Sequence, residues 1–356
     1  MTPLRPAPEM SVRLLEVGEP GWADTLTRVR HDVAHLPSYR EAIDTHRRTR
    51  SRLLVVEQGE RAMVVPLIFS EIGDGPRCDA ASPDPLATPL FTDGTDPAWR
   101  RAAIAAMLVD LEARGVVSLF LRLHPLLDSA PQDFAHAGTV VEHGTYFTIP
   151  LDRPLAEIRA AMRKSHRRAI RAAWNAGVVA EPDPDWRHVD TLHTMYAAAM
   201  TRLEAGTNFR LPRDHWDRVR DALADRAQLW VLKYAGEVIA IDLVTEHDGI
   251  VQSLHGAMEP DQQRKFSMLP VYDSLLEWAH TRGNRHFFLD GAAHESLRVF
   301  KRGITTVEPV SRTGRIVVNP TEYRALCDDW ETASGHPVGP IDTFFPPYRQ
   351  PVGRES

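Results

Sequence analysis

LLVVEQGERAMVVPLIF (Leu53–Phe69) and LWVLKYAGEVIAIDLVT (Leu229–Thr245) are written to one plan. Each is an apolar run broken in its middle by a polar stretch containing one glycine, at Gln58-Gly59 and Ala235-Gly236, which reads as a hairpin. The flanking strands alternate poorly, as expected where both faces of a sheet are covered. Outward from each hairpin the same order follows. The first leads to a helical run ending at Glu112-Ala113-Arg114-Gly115 and then to VVSLFLRLHP (Val116–Pro125). The second leads to SLLEWAHTRG (Ser274–Gly283) and then to HFFLDGAA (His286–Ala293). A duplicated block of this size exceeds a solenoid repeat and implies two related domains in tandem, with a site in or beside one of them. The expected class is α/β (α+β), each domain a mixed central sheet flanked by helices. The expected boundaries are 11–151 and 152–346, with a disordered Pro-rich stretch at 1–10 and a loosely held tail at 347–356. Tyr146–Leu151 is expected to close the first domain, and the chain beyond Val317 to add a last strand or two.

The 356 residues suit two domains of ordinary size, and 43% hydrophobic with 25% charged residues fits a globular enzyme or binding protein. Cys78 and Cys327 stand far apart and outside any CxxC or Cys/His spacing, so neither a disulfide framework nor a zinc site is expected. The N-terminal MTPLRPAPEM lacks an apolar signal core and no run is long enough to span a bilayer, so a reducing cytoplasm without membrane insertion is the expectation.

A net charge of −6 speaks against wholesale polyanion binding, yet Ile158–Ala180 holds no acidic residue while Arg159, Arg163, Lys164, Arg167, Arg168 and Arg171 supply six positive charges. Opened by Asp152 and Pro154 and closed by Asn175-Ala176-Gly177, residues 152–177 read as one basic helix. Arginines spaced four apart form a row in which neighbours repel by roughly a few tenths of a kcal/mol per pair. A merely soluble helix would intersperse glutamates, so the row suggests a polyanionic partner; the alternative is a solvated surface helix paired with acids from elsewhere in the fold.

RKSHRRAIRAAWNAGV (Arg163–Val178), HTMYAAAMTRL, AGEVIAIDLVTEHDGIVQSLHGA and FFLDGAAHESLRVFKRGI, in that order, resemble the FemABX-like branch of the GNAT N-acyltransferase superfamily. The resemblance runs from about His31 to FFPPYR (Phe344–Arg349). It implies tandem GNAT-like domains that move an acyl or aminoacyl group onto an amine, with aminoacyl-tRNA as donor in the better-understood members. Carried onto Phe300-Lys301, the family motif makes Lys301 the cation that stabilises the oxyanion and Phe300 a residue that excludes water. An isolated lysine there would otherwise be read as a snorkelling surface residue.

The residues also bear on the donor. A CoA-binding loop needs glycines that let backbone N–H groups reach the pyrophosphate, and PDQQRKFSMLPVYDSLLEW offers Gln263, Arg264 and Lys265 with no glycine after them. A tRNA-borne donor is therefore favoured, held by the basic helix with Arg264 and Lys265. Acyl-CoA is the alternative, since those side chains could grip phosphates themselves.

Asp290 could accept the amine proton or cap the helix beginning near His294. His255 could act as a base or be a satisfied core histidine. Tyr272 and Glu295 are cleft candidates for substrate, with Tyr39 and Arg40 in the neighbourhood expected for an acceptor clamp. No nucleophile elbow or metal pattern is present, so direct transfer without cofactor or metal is expected. The expected acceptor is a small soluble amine. A peptidoglycan precursor and a non-catalytic GNAT-like binding module are the further alternatives.

Overall fold

The computed structural model describes residues 10–292 and 294–351, so the expectation for the N-terminal stretch falls almost wholly outside the described residues. The chain divides into two compact units. One comprises the residues up to Glu41, Thr49–Gly144 and the residues from Val310; the other comprises Ala42–Arg48 and Thr145–Pro309.

The strands of the first unit are β1 (Ser11–Glu16), β2 (Ser51–Gln58), β3 (Arg61–Glu71), β4 (Cys78–Ala81), β5 (Leu90–Phe91), β6 (Val116–Leu123), β7 (Thr139–Thr145) and, from far along the chain, a strand at Val310–Val317. Those of the second are β8 (Phe147–Pro150), β9 (Val179–Asp183), β10 (Ala227–Tyr234), β11 (Glu237–His247), β12 (Ile250–Met258) and β13 (His286–Asp290), which makes Val310–Val317 β14. The first sheet runs β1-β2-β3-β4-β6-β14-β7, with β5 on β3; the second runs β8-β13-β12-β11-β10-β9.

Both hairpins form as the sequence indicates. Leu53, Leu54, Val55 and Val56 are all fully buried, so consecutive side chains are covered on both faces. In the second hairpin Tyr234 pairs with Glu237, and Ala235 and Gly236 both take positive φ, +50° and +88°. That is the backbone a two-residue turn needs to follow the strand twist. Helix Pro97–Ala113 starts with Asp96 accepting the Trp99 N–H at 2.9 Å and Pro97 in the first turn, and buries Ala103, Ile104, Met107 and Leu111 against the first sheet. Helix Leu269–Thr281 does the same in the second unit with Val271, Leu275, Leu276 and Ala279.

Three expectations are corrected. Phe147–Pro150 does not close the first sheet; it pairs antiparallel with β13 at the edge of the second. The stretch Val310–Val317 does not belong to the second domain, as a boundary at 152–346 would require, because Arg312–Val317 pair with Ser118–Leu123 of β6. Beyond it lies a helix, Pro320–Ser334, rather than more strand. Asn319 caps it by accepting the Glu322 N–H at 3.0 Å, and Gly335 ends it at φ +72°.

The tail is held firmly as far as it is described. Buried Asp79 accepts hydrogen bonds from Ser118 Oγ (2.7 Å), Tyr348 Oη (2.6 Å) and Arg349 Nε (2.9 Å), while Arg349 also donates to the carbonyls of Ser70 and Glu71. Removing the carboxylate takes the acceptor from the buried Ser118 hydroxyl and the half-buried Tyr348 hydroxyl, while the exposed Arg349 keeps its bonds to the Ser70 and Glu71 carbonyls. Asp79→Ala is therefore expected to cost about 1–3 kcal/mol of unfolding free energy in a urea titration.

Candidate functional site

β12 and β13 are the parallel neighbours of the second sheet, and they pair over three positions only: Ile250 with His286, Val251 with Phe287, Gln252 with Phe288. Beyond Gln252 and Phe288 both strands continue without pairing to each other, so a wedge opens between them. A bulge between Phe288 and Asp290 takes Leu289 out of register with β8, and Asp290 sits at φ +63°, a left-handed conformation uncommon for a residue other than glycine. Such a conformation stores of order 1–3 kcal/mol and is found preferentially at functional sites.

Lys301 fills the position these distortions create. It is 7% exposed, and Nζ donates to the Leu289 carbonyl at 2.5 Å and to the Gly291 carbonyl. An ammonium carries three N–H groups, so two clamp it to the strand end and one remains for an incoming oxygen. Burial lowers its pKa, while the nearby carboxylates of Asp290 and Asp242 oppose that shift.

The surrounding helix is held in place from the basic segment. Phe300 packs against the His166 ring at 5.3 Å and the Tyr272 ring at 6.5 Å. Arg163 N–H donates to the Gly303 carbonyl at 2.8 Å. A Cβ at Gly303 would fall 2.1 Å from the His166 ring, so only glycine lets the two segments meet this closely.

One strand over from the wedge, Asp242 is fully buried in β11 and accepts a 2.6 Å hydrogen bond from Ser253 Oγ, leaving Oδ1 without a partner among the described residues. Burial pushes its pKa up to about 7, against the Ser253 hydrogen bond and the Lys301 charge. Nearby, Tyr272 is buried, and its phenol pKa is raised by that burial and by the Asp242 charge. Because the folded carboxyl has the higher pKa, its protonated form favours folding: that stability is complete below about pH 4 and disappears as pH rises through about 7. Unfolding free energy is expected to fall over this window by about 2–4 kcal/mol, and Asp242→Asn to remove that component in denaturant titrations across pH.

The structure gathers some of the sequence candidates and disperses others. Lys301, Phe300, Asp290 and Tyr272 come together. Asp290 does not cap the following helix, since His294 does so by accepting the Leu297 N–H. His255 lies elsewhere: β12 bulges at Leu254, so His255 pairs with Leu243 and Ser253 with Val244. That turns His255 to the sheet face opposite Asp242, against Tyr196 and Trp216, and burial lowers its pKa to about 4. It is half-buried and packs against aromatic rings there. Glu295 is exposed and pairs with Arg298. Tyr39 and Arg40 are buried in the first unit, with Arg40 donating to the Asp84 carbonyl and lying 5.1 Å from the Tyr39 ring centroid. Sequence reasoning passes over Asp242 and Ser253, although an aspartate in the apolar run VIAIDLVT is a visible signal.

The basic segment is two helices, Leu155–Ala161 and Lys164–Asn175, broken where Met162 and Arg163 turn extended. Arg159 is spent internally, on Asp273 at 2.7 Å and Glu277 at 2.8 Å, which is the ion-paired reading of that residue. Arg167 donates to the Ala160 carbonyl. Arg163, Lys164, Arg168 and Arg171 are exposed, and none has a carboxylate partner among the described residues. Beside them lies a groove of about 360 Å³ lined by Ala169, Ala172 and Ala176 on one side and by Arg264 and Lys265 on the other. Lys265 Nζ also donates to Tyr234 Oη at 2.7 Å.

Residues 160–302 match the family described as Acetyltransferase (GNAT) domain. FemX superposes with a TM-score of 0.67 at 12% identity, over 88% of this chain and 99% of that one. L-PGS from Bacillus licheniformis gives a TM-score of 0.55 at 14% identity, over 86% and 93%. A C-terminal domain assigned as a lysylphosphatidylglycerol synthetase from Agrobacterium fabrum gives 0.56 at 15%, over 84% and 91%. These likenesses establish the fold. No curated protein matches the sequence itself. None of the described helices is long and apolar enough to cross a membrane.

Proposed function

We propose that this chain, an acyltransferase with a GNAT domain on a FemX-like tandem fold, transfers an aminoacyl group from a charged tRNA to the amine of a small soluble acceptor. The observation that carries the reading is the buried Lys301 ammonium at the mouth of the splayed strands, on a helix packed against a segment with four cations unpaired among the described residues. In aminoacyl transfer the amine attacks an ester carbonyl, and the oxygen of the tetrahedral intermediate becomes an anion. A desolvated, fixed N–H donor is worth most at that oxygen. Phosphates of an acceptor stem would meet Arg163, Lys164, Arg168 and Arg171 as point contacts, without backbone readout.

The loop before helix Leu269–Thr281 also supports a donor other than CoA. The N–H groups of Gln262, Gln263, Lys265 and Phe266 all bond to carbonyls within the Glu259–Gln262 turns, so they do not form a phosphate nest. A lysylphosphatidylglycerol synthetase among the fold neighbours is named for an aminoacylated product, in keeping with aminoacyl transfer. A second reading, acyl-CoA as donor, is favoured by the groove beside Arg264 and Lys265. A screen of charged tRNAs and acyl-CoAs against a panel of primary amines decides between them: amide formation from charged tRNA, weakening steeply with salt, is expected, and product from acyl-CoA alone would refute the tRNA reading.

A further inference from the structure

A second cavity, of about 280 Å³, opens at the far end of helix Leu269–Thr281, where the short turn Ala224–Arg226 enters β10. The helix is about 20 Å long, so this cavity stands apart from the groove beside Arg264 and Lys265. None of its lining residues belongs to the wedge or to helix Glu295–Arg302. Asp225 and Arg226 come from the turn, Gln228 from the start of β10, Glu246 from β11, and Trp278 and Arg282 from the end of the helix.

Two donors are left over here. Gln228 Nε2 is shut off from solvent and has no hydrogen-bond partner among the described residues. Trp230 follows two residues along β10, hence on the same face; it is 4% exposed, and its Nε1 also lacks a partner. Its ring meets that of Trp278 edge-on, with centroids 6.0 Å apart. Packing does not ask for an amide at 228. Val244, its partner across the ladder, is a buried hydrophobic, and an apolar side chain would strand no N–H.

The charges around that amide suit a molecule carrying both signs. Glu246 accepts from Arg282 Nε at 2.8 Å and from Asn284 Nδ2 at 2.6 Å, which fixes the guanidinium 5.1 Å from the Trp278 ring centroid. The terminal nitrogens of Arg282 have no partner among the described residues. Arg226 is held loosely, 3.9 Å from an Asp225 side chain that is 93% exposed. Two guanidiniums and two carboxylates cancel, so a lone anion would face Asp225 and Glu246 unmatched, and a lone cation would face Arg226 and Arg282. We infer that this cavity binds a free amino acid as its zwitterion. The carboxylate meets Gln228 Nε2 and the two guanidiniums, the ammonium meets Asp225 and Glu246, and the side chain lies against Trp278. Pockets for drug-sized ligands occupy roughly 300–1,000 Å³, and about 280 Å³ fits this smaller occupant.

Isothermal titration of the intact chain with each standard L-amino acid tests the assignment. At least one should bind one-to-one with a Kd below ~1 mM. Its N-acetyl and carboxamide derivatives should each bind at least about 10-fold more weakly, the loss expected for one charge-assisted contact. Gln228→Leu and Arg226→Ala should each weaken binding by about 10-fold with an unchanged circular dichroism spectrum. Lys301→Ala should bind as wild type does, which separates this cavity from any amino acid held at the transfer site. Absence of binding up to ~10 mM, or acetate or methylamine bound as tightly as the zwitterion, would overturn the assignment. So would an affinity that survives the Gln228 and Arg226 variants.

Discussion

Lys301→Ala lowers kcat by about 10²–10³-fold with a much smaller change in KM, because the ammonium meets the substrate oxygen fully only when that oxygen carries charge. The substitution also leaves the Leu289 and Gly291 carbonyls without their donor. Each such group costs about 1–3 kcal/mol, so the variant is also less stable and its circular dichroism and melting must be recorded beside its kinetics. Lys301→Arg separates the two effects: its planar fork can satisfy a carbonyl but does not reproduce a compact charge with one free N–H, so it recovers stability more than turnover. A Lys301→Ala enzyme within about threefold of wild-type kcat would remove Lys301 from the chemistry.

Reversing the exposed cations gives the other large effect. The triple variant Arg163→Glu, Arg168→Glu, Arg171→Glu should weaken charged-tRNA binding by at least about 100-fold near ~0.1 M salt and reduce the slope of log K against log salt by about 2–3, close to one for each phosphate no longer neutralised. Melting should hardly change, since these side chains have no carboxylate partner among the described residues and the Arg163 bond to Gly303 uses the backbone. Arg159→Glu is the control in the opposite sense: it sets a third carboxylate against Asp273 and Glu277 and damages the fold rather than the affinity. Filter binding across a salt series measures both, and an unaltered slope in the triple variant would show that the cations serve another purpose.

The tandem hairpins were legible because strands covered on both faces need uninterrupted apolar runs, and Leu53–Val56 and Leu229–Leu232 supply them. Lys301 was legible through the order of motifs around it. What escaped was set by contacts distant in sequence. Nothing in FTIP tells which of two sheets a four-residue edge strand will join. No proline or glycine marks the break at Met162–Arg163, which coincides with the bond from Arg163 to Gly303. Arg159 is neutralised by Asp273, 114 positions away. The face of His255 hinges on a bulge at Leu254, and one extra residue exchanges the two sides of a strand. Helix Pro320–Ser334 carried its cap signals in Asn319, Pro320 and Gly335, but of its residues only Cys327 is buried, so its apolar stripe was too thin to read.

The placement of β14 orders the biosynthesis of the molecule. Every residue of the second unit, Ala42–Arg48 included, has been synthesised once Pro309 is added, whereas the first unit waits for Val310–Val317 to lie along β6 and for Tyr348 and Arg349 to reach Asp79. A nascent chain thus carries its reacting lobe towards completion while its earliest-made sheet still shows a bare β6 edge, a template for unwanted strand addition. Premature stop codons late in the reading frame would strike the amino-terminal lobe first, the reverse of what linear position suggests.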